Sequence, residues 1–332
     1  MDTAGLIVND SIHYLDHLAP FCALRNWPLI LCEPSLALLA KTYYPDVKII
    51  QTLWRDLTLP KTIVSCHPRP FLESCFPGRL NKTAWLPHGN SDKGWKSEVF
   101  ELLRHEEKIF VYGPKMIDAV REKMGPSASL QIEQVQNFRR RYFINHRHFY
   151  RELVQKKFPD VDGQKVLLYT PTWNDLEGNC SFWKAFETIA SHLPERYTLL
   201  IKLHPNTESA FPAEIERLIG RYQKHPNIHW VREFPPIYPL LEISDGYIGD
   251  MSSIGYDFLS RNKPMYFLNS QNRDSEKDPG LYLYRCGIEL KPQDYEKLFS
   301  IDEETRALDQ KRFGSVRKQL YEYTFAESLA CQ

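Results

Sequence analysis

The chain has 332 residues, enough for two domains at roughly 150 residues each. Its 42 Lys plus Arg balance 42 Asp plus Glu, which removes the basic excess that a chain-wide nucleic-acid binder needs. With 42% hydrophobic and 25% charged residues, 15 glycines and no low-complexity run, fibrous and disordered classes are excluded too.

From the N-terminus, Gly5–Val8, Pro28–Glu33, Val47–Ile50, Thr62–Cys66, Ala84–Pro87 and Lys108–Gly113 are short apolar runs that predict buried strands. Ile12–Leu24, Pro34–Thr42 and Lys115–Lys123 predict helices between them. The rhythm then repeats. Strands are predicted at Val166–Pro171, Tyr197–Pro205, Asn227–Val231, Asp245–Asp250 and Pro264–Leu268. Helices are predicted at Phe182–His192, Pro212–Lys224 and Ile237–Ile243, from Met251–Ser253 onward, and over Gln293–Phe325. Strand–helix alternation with short connections means α/β, with parallel sheets. Two such sets predict two Rossmann-like domains facing across a cleft, divided as residues 1–140 and 141–332.

Seven cysteines at 22, 32, 66, 75, 180, 286 and 331 form no C-x-x-C pair, so reduced thiols are expected. The opening residues lack a signal-peptide pattern, and no run approaches the roughly 18 apolar residues of a membrane span. A cytoplasmic protein is the expectation.

Four motifs fall at predicted strand ends, where open α/β sheets collect ligands. In Ser244–Phe267, a strand ends at Asp250, and Ser252 and Ser253 open a helix. The unpaired N–H groups and positive dipole end of a helix start suit a phosphate, although a serine there also serves as a plain cap. No G-x-S-x-G surrounds these serines, which speaks against a hydrolase nucleophile. In Ile201–Asn206, His204 can donate to a phosphate and Lys202 can add charge; a structural histidine and a solvated lysine are the bland readings. Tyr169–Asp175 offers the Thr170 and Thr172 hydroxyls to the same anion. In Leu86–Trp95, His88 followed by Gly89 sits at a strand edge of the first domain, where an imidazole has the right basicity for a general base. A surface-loop histidine fits that pattern equally well. Asp16-His17 and Cys66-His67 lack partners for metal or nucleophile chemistry and read as structural.

The set of His88-Gly89 with Lys93, Tyr169–Trp173, Lys202–Asn206 and the Asp250–Pro264 block, in this order, resembles the CDP-glycerol glycerophosphotransferase family, the teichoic-acid primases and polymerases. The resemblance implies a GT-B-like fold, a donor nucleotide in the C-terminal domain, an acceptor entering from the N-terminal side, and no metal or cofactor. It implies His88 as base, and His204, Ser252 and Ser253 on the donor pyrophosphate, with Asp250 in the same block. The family's glycine-proline-arginine turn before the second domain is absent from Gln134–Phe143. The expected function is transfer of a polyol phosphate from a CDP-linked donor to a hydroxyl of a polyol-phosphate or glycolipid acceptor, releasing CMP. The alternatives are a nucleotide-sugar glycosyltransferase or epimerase, and a non-catalytic nucleotide-binding protein on a degenerate scaffold.

Phe138–Phe158 carries Arg139, Arg140, Arg141, Arg147, Arg151, Lys156 and Lys157 against one acid, Glu152. It reads either as a linker helix with solvated charge or as a patch for an anionic acceptor or membrane surface, which would place the protein peripherally at the inner face. Arg139, Arg140, Arg141 and Arg147 are the expected patch residues. No nucleic-acid partner is expected.

Overall fold

The computed structural model describes residues 1–92, 99–125, 130–161, 163–174 and 178–329. Strands β1 (Thr3–Ile7), β2 (Leu29–Leu31), β3 (Ile49–Gln51), β4 (Thr62–Ser65), β5 (Lys82–Trp85), β6 (Lys108–Val111) and β7 (Gln131–Gln134) form one parallel sheet in the order β3-β2-β1-β4-β5-β6-β7. A second parallel sheet holds β8 (Lys165–Thr170), β9 (Tyr197–Ile201), β10 (Ile228–Trp230), β11 (Gly246–Gly249), β12 (Met265–Leu268) and β13 (Ile288–Leu290), in the order β10-β9-β8-β11-β12-β13. Counted within its own sheet, each follows the doubly wound order 3-2-1-4-5-6, and β7 extends the first. The central strands are buried on both faces because helices cover both sides: β9 and β11 are buried throughout. These are the two expected Rossmann-like domains. Each has a crevice where the strand order reverses, beyond the ends of β1 and β4 in one and of β8 and β11 in the other.

Two strands escape the sequence pattern. β7 is the polar segment Gln131–Gln134 at a sheet edge, where no apolar face is required. β13 (Ile288–Leu290) carries Glu289 at its centre, so it makes no apolar run. The single basic stretch is two helices, Phe138–Asn145 and Arg147–Lys157, broken at His146 (φ −117°, ψ 23°). The expected boundary at 140/141 therefore falls inside a helix.

That helix is the joint of the molecule. Arg139 is buried and ion-pairs with Asp16, on the helix Ile12–Arg25 of the first domain, and with Asp257 (2.8 Å), on the helix Ser253–Phe258 of the second. The Tyr238 hydroxyl donates to Asp257 (3.0 Å) and lies 2.9 Å from the Asn137 side-chain oxygen. The C-terminal helix Leu298–Phe325 crosses back to the first domain. Phe325 packs edge-on against Tyr112 (5.6 Å between ring centres), and the Tyr323 hydroxyl donates to Asp118 (2.9 Å). Among the described residues, no helix is long and apolar enough to cross a membrane.

Candidate active site

The first domain brings three imidazoles to its strand ends. His13 lies in the opening turn of the helix after β1, His67 just beyond β4, and His88 just beyond β5. His204, after β9 of the second domain, completes the group. The His13 ring packs edge-on against His88 (5.8 Å between ring centres) and tilted against His204 (5.4 Å), so it stands between histidines of the two domains. Tyr14 contacts both His88 (4.9 Å) and His67 (4.7 Å). Nδ1 of His13 is buried without a hydrogen-bond partner. The exposed Trp173 ring tilts over His204 at 6.2 Å.

The His88 loop is held from beneath. The Tyr112 hydroxyl donates to the Pro87 carbonyl (3.3 Å), which leaves its lone pairs to accept from His17 Nδ1 (2.8 Å). His17, buried, is therefore a structural support, as its neighbour Asp16 is for Arg139. Gly89 has φ +131°, in the region open to glycine, and a Cβ there would stand 2.7 Å from Ser253 Cβ. The first domain's loop thus rests on the second domain's helix.

In the second domain, Asp250 accepts from the backbone N–H of Thr172 (2.7 Å) and from the N–H (2.9 Å) and hydroxyl (2.8 Å) of Ser181. It pins the loop after β8 to the end of β11. The Ser252 hydroxyl caps its helix, accepting from Ile254 N–H at 3.4 Å. Tyr247 folds back so that a side chain at Gly249 would overlap its hydroxyl. The buried hydroxyls of Tyr247 and Thr170 make no well-formed hydrogen bond, which leaves polar atoms beside the serine cap. Lys202 donates to the Phe234 carbonyl (2.7 Å), and burial lowers its pKa to about 8.

Burial also governs the imidazoles. It lowers His13 to about 2, helped by repulsion from His88, His204 and His67. His67 falls to about 4, chiefly through burial and then through His88. His88 keeps an exposed face, while the protein around it pushes it down to about 4; water at that face offsets part of the effect. All three are neutral near pH 7. Among the described residues, no group of three or more His, Cys, Asp or Glu is placed to hold a metal ion.

The family model for CDP-glycerol:poly(glycerophosphate) glycerophosphotransferases matches residues 144–326, more than half of the chain. The chain belongs to this family. It is 27% identical over 191 residues to a teichoic acid glycerol-phosphate primase of Bacillus spizizenii, covering 53% of this chain and 47% of that protein. It is 29% identical over 128 residues to the corresponding Bacillus subtilis primase, covering 36% and 30%. The match thus spans less than half the length of either primase. The wall teichoic acid polymerase TagF, in a structure soaked with CDPG, superposes with a TM-score of 0.66 at 13% identity, covering 98% of this chain and 84% of that one. At that identity the likeness concerns the fold, which is GT-B-like.

Within this glycerophosphotransferase fold, His88, His204, Thr170, Thr172, Asp250, Ser252 and Ser253 all stand at strand ends, and His204 and Ser253 meet His13 and Gly89 across the junction of the domains. Lys93, Gly94, Trp95 and Asp175 of the quoted motifs lie outside the described residues. The basic patch needs correction. Arg139 is buried in the interdomain ion pair, because two carboxylates remote in sequence converge on it. Arg147 pairs with Glu242. Arg140 is half-buried, while Arg141, Arg151, Lys156 and Lys157 are exposed. Sequence reasoning missed His13 and Tyr14, and assigned His67 no role near the site. The signal for His13 was its place directly after β1, the first strand of a doubly wound sheet, where the crevice opens.

Proposed function

We propose that the protein transfers a polyol phosphate from a CDP-linked donor to a hydroxyl acceptor and releases CMP. One observation carries the reading: His88 of the first domain and His204 of the second flank His13, next to the serine-capped helix that touches Gly89. In the reaction, His88 takes the acceptor hydroxyl proton while the oxygen attacks the donor's β-phosphorus. The new P–O bond forms as the bond to the α-phosphate bridge breaks, and CMP leaves with that electron pair. His204 and the Thr170, Ser252 and Ser253 hydroxyls offset the charge on the phosphates. Asp250 sets the loop that presents Thr172. Lys202, tied to Phe234, braces this region and contributes its charge from behind.

A neutral His88 is in the form a base requires. Bringing an anionic pyrophosphate alongside raises its pKa from the depressed value, toward the range where an imidazole accepts a proton effectively. The acceptor, a polyol-phosphate chain or glycolipid, enters from the first domain, and the exposed Arg141, Arg151 and Lys156 face an anionic acceptor or membrane surface.

The test is CMP release from CDP-glycerol and CDP-ribitol, each with a short poly(glycerophosphate) acceptor, against UDP-glucose as the control donor. CMP formation that depends on the acceptor supports the reading. Nucleoside diphosphate release from the sugar nucleotide in its place overturns it.

A further inference from the structure

We infer that Asp92 and Tyr256 form a positioning contact between the domains, through which the donor-side helix sets where His88 stands. The inference rests on the proposed role of His88 as base.

The Tyr256 hydroxyl bonds to both oxygens of Asp92, at 2.7 and 2.6 Å. Lys115, on the helix Pro114–Met124 of the first domain, pairs with the same carboxylate at 2.8 Å and lies 4.6 Å from the centre of the Tyr256 ring. All three side chains are buried. Asp92 is four residues beyond His88, and Tyr256 is on the short helix that Ser252 caps. The loop between them is therefore fastened at three points. Pro87 is held within its own domain by Tyr112, Gly89 rests on Ser253 of the other domain, and Asp92 is shared between Lys115 of its own domain and Tyr256 of the other.

Lys115 and Asp92 belong to the same domain, so their ion pair survives any relative movement of the domains. The Tyr256 bond does not. Without it, a buried carboxylate loses a donor that water cannot replace unless the loop lifts away. Displacing the loop carries His88 away from the serines, and misplacement by about 1 Å is enough to slow a positioned reaction by about 100-fold. The contact thus makes a correctly placed base conditional on the donor helix being seated against the first domain.

Tyr256→Phe removes the hydroxyl alone and keeps the ring over Lys115. Tyr197→Phe is the matched control, since the Tyr197 hydroxyl donates to buried Asp302 (2.6 Å), an equivalent bond remote from the His88 loop. With CDP-glycerol and a short poly(glycerophosphate) chain, Tyr256→Phe is expected to lower kcat by roughly 10- to 100-fold with donor KM changed by less than about 3-fold. Tyr197→Phe is expected to lower Tm while kcat holds. Gly89→Ala, which presses on Ser253, is expected to repeat the Tyr256→Phe pattern. A readout free of turnover is amide hydrogen exchange over residues 86–92, expected to quicken by about 10-fold or more in Tyr256→Phe and to stay unchanged in Tyr197→Phe. If Tyr256→Phe loses Tm but keeps kcat and loop protection, as the control does, the contact is structural only and the inference falls. A His88→Ala variant that turns over normally removes the base assignment, and the inference with it. An inactive His88→Ala beside a fully active Tyr256→Phe removes the inference alone.

Discussion

The two domains share a strand order but equip their strand ends differently. At the ends of β8 and β11, Asp250 collects three hydrogen bonds from Thr172 and Ser181, and the hydroxyls of Thr170 and Tyr247 stand beside the Ser252 cap. At the ends of β1, β4 and β5 stand imidazoles, in contact through their rings, with one nitrogen of His13 unpartnered. One side is a fixed cradle of hydroxyls and backbone N–H groups gathered around Asp250. The other is a set of imidazoles kept neutral by burial, helped at His13 and His67 by repulsion from their neighbours. The proposed phosphoryl transfer needs both, a place where the charged group is held still and a place where a proton is accepted. The division between domains lets the two be assembled only when they meet.

The sharpest way to test this contrast is to remove the proposed base. His88→Ala is expected to lower kcat by roughly 10²–10⁴ while calorimetric affinity for CDP-glycerol stays near that of the native chain. Donor affinity lost together with kcat would make His88 a donor contact and dissolve the division of labour. Next in size is the joint that both sides share. Arg139→Ala leaves Asp16 and Asp257 buried without their cation, and is expected to cost about 3–5 kcal/mol in denaturant unfolding. A loss below 1 kcal/mol would mean the domains are held by other contacts. On the cradle side, Ser252→Ala with Ser253→Ala is expected to weaken CMP or CDP binding by about 1–3 kcal/mol, with unchanged titration calorimetry as the refuting result.

The imidazole side also predicts a pH dependence. His13, His67 and His88 sit at about 2, 4 and 4 in the fold, against 6.5 when free. As pH falls below 6.5, the unfolded chain takes up these protons first, so their contribution is complete above 6.5 and is lost toward pH 4 for His67 and His88 and toward pH 2 for His13. Thermal unfolding of the triple Asn variant should show a shallower slope across that window than the native chain. An identical slope would mean that these rings titrate normally. The smallest effect is expected on the outer surface. Arg141, Arg151 and Lys156 changed to Gln should reduce co-sedimentation with anionic liposomes by about 1 kcal/mol per charge in reach, most visibly at low salt. Equal pelleting of both proteins removes the membrane version of this patch.

The strand rhythm made both sheets legible in the sequence because parallel strands buried on two faces are uninterrupted apolar runs. Where a strand had a wet edge, as in Gln131–Gln134, that signal vanished. His88, His204 and the serines were legible for the same reason, since each directly follows such a run. His13 was not, because it lies within a helix whose following residues, Leu15 to Cys22, are buried as any core helix would be. Arg139 misled most. Its partners Asp16 and Asp257 lie 123 and 118 residues away, and a charge run gives no local sign of which member will be drawn inside.

The crossing of the C-terminal helix bears on how the chain is made. Residues that finish the packing of the first domain are encoded some 190 positions downstream of the segment they cover: Gln136 donates to the Ala326 carbonyl, and the Asn137 N–H to Glu327. Phe325 likewise closes over Tyr112. On the ribosome, the first domain therefore emerges with an aromatic face uncovered and waits for the second to be translated before its surface is sealed. A nascent chain stalled at residue 290 should be cut within the first domain by a protease that spares the same sites in the released protein.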